Sequence, residues 1–288
     1  MTQAHWIAVD WRADGLTVWP MGDGDAVLDQ IDVPLGAPVA DISGFCAAIL
    51  PHVEPFLSGK TPVVVSGAPV ALGAGFVPVP CKPAELSPVD PTGGDPRLSI
   101  HLIPAVSQGQ PADILQGSEA LIAGYLAEHP KFDGILCIPG PDTKWCHISA
   151  EEIVSFQSFV IGELIASLAP PLTNDFDRST LLNAVQDAMS NPHRMASRLA
   201  TLRAEQVLNP TGATGLAAGI AGTVIGVELA GARAYWLGQM VVVLGDGALS
   251  EAYLAALQDA GAMVERASVD GLIPKGLTAI RNGKPEAD

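Results

Sequence analysis

Two duplicated α/β lobes flanking a ligand cleft are the architecture this sequence predicts, and three observations carry the prediction. Strand-like apolar runs alternate with helical stretches along the whole chain. The order of these elements restarts near residue 131, which divides the chain into lobes at 1–130 and 131–288. A content of 48% hydrophobic against 16% charged residues then supplies two buried cores within 288 residues.

The first half opens with a short apolar strand at 5–10, a turn around Asp14-Gly15, a second strand at 16–20 and a third at 26–33. Ile42, Phe45, Ile49 and Val53 recur at helical spacing, so 41–57 is a helix. The β-branched run at 61–66, TPVVVS, has the composition of a strand buried on both faces. Residues 67–111 are rich in Gly and Pro and read as loop, with a short strand at 99–103, before a helix over 113–128.

In the second half FDGILCIPG is again an apolar strand ending in a turn, and TKWCHIS is the next strand. Ser149 and Glu152 match a capping box that would open a helix, but the parallel with the first half assigns 153–160 to a third strand, with a helix from Gly162. An amphipathic helical stretch follows at 178–208, a Gly/Ala-rich helix at 212–236, a buried strand at 240–245, a helix at 249–260 and a strand at 263–268.

The balance of 31 acidic against 15 basic residues gives a formal charge of −16, which repels nucleic-acid backbones and argues against such a partner. The cysteines at 46, 81, 137 and 146 form no C-x-x-C pair, and the six histidines show no H-x-x-x-H spacing, so no zinc site is expected. The opening MTQAHWIAVDW lacks the pattern of a secretory signal, and the expectation is a cytoplasmic protein. The stretch 215–232 contains Thr223 and Glu228 and is largely Gly and Ala, so it reads as a buried helix rather than a membrane span. Self-association into a homo-oligomer is left open.

Several residues could carry chemistry. Asp10 ends an apolar strand, where a carboxylate can hold a magnesium ion through waters or simply close a turn. The turn 139–145 gathers Gly140, Asp142, Thr143 and Lys144; Asp142 could accept a hydroxyl proton while Lys144 and turn amides face phosphate, or the segment is a plain Pro-Gly hairpin. Gly215, Gly219, Gly222 and Gly226 line one helical face, which suits close packing or a nucleotide lying against it. Gly245 and Gly247 form a strand-Gly-x-Gly-helix junction that could pass beneath an adenosine. Glu119 sits in a helix and faces either a cleft or solvent, and Lys82, Arg97 and Arg178 are loop cations suited to a carboxylate ligand.

The duplicated order with an acidic first-strand end resembles that of the actin-like ATPases and sugar kinases, whose lobes are ribonuclease-H-like. The resemblance narrows to the 2-dehydro-3-deoxygalactonokinases through IAVDW at 7–11, ILQGSEALIAG at 114–124, IPGPDTKW at 138–145, FQSFVIGEL at 156–164, LRAEQVL at 202–208, GTVIGVELAG at 222–231 and VVVLGDGALSEAY at 242–253. It implies ATP-dependent phosphorylation of a 2-keto-3-deoxy sugar acid, with ATP and Mg²⁺ bound between the lobes. Under it Asp10 serves the metal, Asp10, Asp142 and Glu119 the chemistry, and Gly140, Thr143, Lys144, Gly222, Gly226, Gly245 and Gly247 the nucleotide.

The departures from the family pattern fall in the phosphate turns. Arg12, Ala13 and Asp14 stand where the family has small and hydroxyl residues, and Gln116-Gly117-Ser118-Glu119 replaces Arg-Gly-Glu-Glu. Pro141-Asp142 replaces Thr-His, and Asp246-Gly247 replaces Thr-Ser. The losses imply impaired turnover, with a non-catalytic metabolite-binding protein as the alternative.

Overall fold

A computed structural model describes residues 3–12, 15–36, 39–208 and 212–283. Ala13 and Asp14, invoked above for the first turn, lie outside the described residues. The chain forms two compact units: Met1–Phe132 with Glu151–Ile153 and Asp270–Asp288, and Asp133–Ala150 with Val154–Val269. The terminal segment thus groups with the first unit, which a linear division at 130 does not express.

In the first unit, β1 (Trp6–Arg12), β2 (Gly15–Met21) and β3 (Ile31–Pro34) form an antiparallel meander. After α1 (Ile42–Val53), the TPVVVS run becomes β4 (Thr61–Ser66), which joins β1 in parallel. One face of β1, with Ile7, Val9 and Trp11, packs with Val63, Val65 and the α1 residues Phe45 and Ile49, and Trp11 stacks on Phe45 at 5.0 Å. Asp10 alternates onto the opposite face.

The segment expected as loop contains more order than its Gly and Pro suggest. β5 (Phe76–Pro78) is followed by β6 (Leu98–Leu102), which completes the five-stranded sheet in the order β3-β2-β1-β4-β6. β7 (Ala105–Gly109) and β8 (Ala112–Leu115) join β5 in a separate three-stranded sheet. The helix expected over 113–128 therefore begins late. Residues 112–115 pair with β7, and α2 is limited to Ser118–Glu128.

The second unit repeats the first sheet. β9 (Gly134–Ile138), β10 (Thr143–Ser149), β11 (Glu152–Phe159), β12 (Met240–Leu244) and β13 (Met263–Ala267) lie in the order β11-β10-β9-β12-β13. β9 pairs antiparallel with β10 and parallel with β12, as β1 does with β2 and β4. Two lobes of one topology are the duplicated α/β fold the sequence predicts.

Helices α3 (Ile161–Leu168), α4 (Arg178–Ser190), α5 (Met195–Leu208), α6 (Gly212–Gly231), α7 (Arg233–Trp236) and α8 (Ala248–Asp259) complete this unit. The single amphipathic stretch expected at 178–208 breaks at Asn191-Pro192, because proline lacks the amide hydrogen that would continue the helix. A final helix, α9 (Leu272–Asn282), packs on α2 in the first unit. A Cβ on Gly124 would stand 2.0 Å from the carbonyl oxygen of Leu272, and one on Gly276 would stand 1.7 Å from that of Ala120. Only glycine at both positions lets the two backbones approach this closely.

Candidate active site

The first unit builds its site at the carboxyl ends of two parallel strands. Asp10 near the end of β1 is in register with Ser66 at the end of β4, and both are buried. Beyond Ser66 the chain turns at Gly67, whose φ of +74° and 2.3 Å separation of an added Cβ from the Trp11 carbonyl oxygen admit only glycine. The Gln116 amide donates to the carbonyl oxygens of Ala68 at 2.5 Å and Gly67 at 3.3 Å, tying this turn to the loop that opens α2.

That tie places Glu119, in the first turn of α2, inside the protein rather than at its surface. Its side chain is fully buried, and its Oε1 accepts the Ser66 hydroxyl at 3.1 Å while Oε2 is buried with no hydrogen-bond partner. Burial pushes its pKa up to about 7 and the nearby Asp10 charge adds to the rise; bonds from its own and the Gly67 amides and from Ser66 oppose it. Burial likewise raises Asp10 to about 6, against the pull of Arg12.

Arg12 is held within its own hairpin. Its guanidinium donates to the Thr17 hydroxyl, Thr17 donates to Asp32 at 2.9 Å, and the Arg12 Nε lies 3.5 Å from Asp10 Oδ2. A cation therefore already neutralises part of the Asp10 charge. Asp10 and the unpartnered Glu119 Oε2 are hard oxygen donors that suit Mg²⁺, and a metal served by Asp10 would compete with this guanidinium. Among the described residues no three His, Cys, Asp or Glu side chains cluster as a ready-made metal site, so waters or phosphate oxygens would complete the coordination.

In the second unit, the turn before β10 leaves Asp142 partly exposed, 3.8 Å from the Lys144 ammonium, which also donates to Ser158 at 2.7 Å. The start of α3 supports this turn: Glu163 N–H donates to the Pro141 carbonyl at 3.0 Å, and a Cβ on Gly162 would lie 2.1 Å from the Gly140 carbonyl oxygen. Thr143 departs from its expected role. It is wholly buried, and its hydroxyl lies 2.9 Å from the Tyr253 hydroxyl rather than facing a nucleotide.

Gly222 and Gly226 also depart from theirs. An added Cβ would meet the carbonyl oxygens of Leu181 at 2.3 Å and Val185 at 2.5 Å, so α4 occupies the glycine stripe and leaves no room for a nucleotide on that face. Gly245 and Gly247 do form the junction between β12 and α8. The acid between them is turned away to a neighbouring loop, since Asp246 Oδ2 accepts from the Ser268 hydroxyl at 2.9 Å and the Val269 amide at 3.1 Å.

Of the loop cations, Arg97 is engaged by Asp95 and Glu54, and Lys82 lies within 3.8 Å of both Glu85 and Glu151. Arg178 donates to Gln258 at 3.4 Å. The structure thus brings Asp10, Arg12 and Glu119 together, with Ser66 as a partner that sequence reasoning missed and Gln116, noted there only as a departure from the family pattern, tying the adjoining turn. A hydroxyl closing the TPVVVS run was the available signal for Ser66.

A family model described as 2-keto-3-deoxy-galactonokinase matches residues 10–280. A Rhizobium meliloti (strain 1021) protein named as a probable 2-dehydro-3-deoxygalactonokinase is 27% identical over 297 residues, covering 96% of this chain and 97% of its own. The 2-dehydro-3-deoxygalactonokinase of Escherichia coli (strain K12) is 27% identical over 293 residues, with the same coverage. A Sinorhizobium meliloti crystal structure, provisionally assigned the same activity, superposes with a TM-score of 0.85 at 26% identity over 96% of this chain and 98% of that one. The activator of a Clostridium difficile 2-hydroxyisocaproyl-CoA dehydratase with bound ADPNP shares the fold at a TM-score of 0.52, 11% identical over 96% of this chain and 95% of its own.

Proposed function

Since the chain belongs to the 2-keto-3-deoxy-galactonokinase family, we propose that it transfers the γ-phosphoryl group of ATP to a hydroxyl of 2-dehydro-3-deoxy-D-galactonate, with turnover slowed by Arg12. The observation that carries this reading is the buried Asp10–Ser66–Glu119 constellation, in which one carboxylate oxygen is unpartnered. In the reaction the acceptor oxygen bonds to the γ-phosphorus, the bond from that phosphorus to the β,γ-bridging oxygen breaks, and ADP leaves.

Asp10 would hold a magnesium ion, which when bound would neutralise charge on the transferring phosphates. Glu119, with a pKa of about 7, is matched to accept the acceptor hydroxyl's proton at neutral pH. Asp142 is the second candidate for this proton. Lys144 and the amides around Gly140 offer positive charge to phosphate, and the Gly245–Gly247 junction, exposed at Gly247, offers backbone to the nucleoside.

The Arg12 contact with Asp10 supports the impaired form of the activity, because the guanidinium competes for the charge that a metal needs. It equally favours a second reading, a sugar-acid-binding protein without turnover. We assign the protein to the cytoplasm on its opening sequence; among the described residues no helix is long and apolar enough to cross a membrane.

Titration calorimetry with Mg-ATP and a coupled assay for ADP release with 2-dehydro-3-deoxy-D-galactonate separate these readings. The kinase reading expects Mg-ATP binding and turnover well below the ~10 s⁻¹ typical of metabolic enzymes. Binding of the sugar acid without ADP release would establish the second reading, and turnover at the ordinary rate would remove the inhibitory role of Arg12.

A further inference from the structure

The core of the second unit contains a buried carboxylate that the reaction does not use. Glu228, on α6, accepts the Trp145 indole N–H at 2.6 Å on Oε1 and the Tyr253 hydroxyl at 2.6 Å on Oε2. Tyr253, on α8, reaches on to the Thr143 hydroxyl at 2.9 Å. All four side chains are at most 1% exposed.

The placement of these partners along the chain is the informative part. Thr143 and Trp145 stand two apart on β10 and so share one face of the strand, directly after the turn of Gly140 and Asp142. Tyr253 lies on the helix that begins immediately after Gly247. One carboxylate therefore holds the beginning of β10 twice, directly through Trp145 and through Tyr253 to Thr143, and holds α8 by the same phenol. Apolar residues of similar volume often stabilise a core as well as buried charge does. What the carboxylate adds is direction, because each hydrogen bond in the chain fixes the donor of the next.

We infer that Glu228 and Tyr253 are positioning residues that couple the turn preceding β10 to the turn preceding α8, so that the two glycine turns are set as one rigid pair. The consequence for nucleotide affinity rests on the function proposed above; the coupling itself does not.

Donor counting selects the variants. Tyr253→Phe and Thr143→Val each break the branch to β10 and leave the Trp145–Glu228 bond intact. Thr143→Ser keeps the hydroxyl. Glu228→Gln can rebuild the whole chain in reverse, its oxygen accepting from Trp145 and its amide donating to Tyr253, which then donates to Thr143.

Amide hydrogen exchange on the full-length unliganded protein reads the coupling. In Tyr253→Phe, exchange over 139–145 and over 245–250 is expected to rise together by about tenfold, with β4 of the first unit unchanged as the control. In Thr143→Val, which keeps the Tyr253–Glu228–Trp145 bonds, exchange should rise over 139–145 with a smaller rise over 245–250, while Thr143→Ser and Glu228→Gln should retain wild-type protection. A rise confined to one segment, or equal changes in the rescue variants, overturns the coupling. Should Tyr253→Phe fail to fold, the comparison of Thr143→Val with Thr143→Ser decides by itself.

Titration of the same variants with Mg-ATP forms a separate arm, with affinity expected to fall several-fold in Tyr253→Phe and Thr143→Val and to be restored in Thr143→Ser. Wild-type protein that binds no Mg-ATP would refute the proposed function while the exchange data still decide the coupling. Binding that is equal in all variants would refute the positioning role.

Discussion

Replacing Glu119 by glutamine tests whether the buried carboxyl carries a proton at neutral pH. The side chain is wholly buried, and its pKa rises from an ordinary 4.5 to about 7. The folded protein therefore binds this proton more tightly than the unfolded chain, so stability is highest below pH 4.5 and falls as pH rises through 7. At 1.36 kcal/mol per unit the full loss is roughly 3 kcal/mol. Glutamine resembles the protonated acid and does not titrate, so Glu119→Gln should lie within about 1 kcal/mol of wild type at pH 5. By pH 8 its stability relative to wild type should have risen by roughly 3 kcal/mol. Urea unfolding of both proteins at pH 5, 6, 7 and 8, followed by circular dichroism and tryptophan fluorescence, measures this difference. Parallel stability curves across the range would show that Glu119 titrates alike in both states, and the argument from burial would collapse. In the coupled assay the same variant should lower kcat by ~10²-fold or more with Mg-ATP affinity preserved, as expected for a lost proton acceptor.

Arg12→Gly should strengthen Mg-ATP binding by about tenfold while changing stability by less than about 1 kcal/mol, since the guanidinium is largely exposed; weaker binding would make Arg12 a phosphate ligand instead. Gly226→Ala places a methyl 2.5 Å from the Val185 carbonyl oxygen and 2.8 Å from the Ala188 Cβ. A loss of about 1–3 kcal/mol should appear in calorimetric melting. Mg-ATP affinity of the folded variant should be unchanged, and a marked loss would return the stripe to the nucleotide. Gly276→Ala drives a methyl into the Ala120 carbonyl, so limited proteolysis should release α9 at protease concentrations that leave wild type intact.

The parts of the fold that were legible in the sequence are those specified locally. TPVVVS could only be a doubly buried strand, and the meander of 6–21 follows from apolar runs separated by a glycine turn. Within 67–111 the strand at 99–103 was legible and is β6, but β5 and β7 were hidden because they pair in parallel with each other, and no local signal reports a partner some thirty residues away. Asp113 looked like a helix opening because an acid commonly caps one, yet hairpin pairing claimed residues 112–115.

The site divides in the same way. A strand-end aspartate was readable at residue 10. The burial of Glu119 was not, since a carboxylate in the first turn of a helix normally faces water and is drawn inside here by the close approach of Gly67 and Gly117. The glycine repeat on α6 signalled close contact, but which element makes the contact depends on α4, and Leu181 and Val185 carry no mark in the sequence that would identify them. Glu228 was visible only as a polar interruption of an apolar helix.

The return of α9 to α2 has a consequence during synthesis. Residues of the first unit up to Phe132 leave the ribosome well before Asp270 is translated. At about 5–20 residues per second the delay is on the order of 10 s. Throughout it the surface of α2 around Ala120 and Gly124 lacks the helix that covers it in the finished protein. The second unit, contiguous in sequence but for Glu151–Ile153, can complete itself meanwhile. The unit made first is therefore the one finished last, and the nascent chain presents an uncovered apolar helix face to chaperones until its final turn of helix arrives.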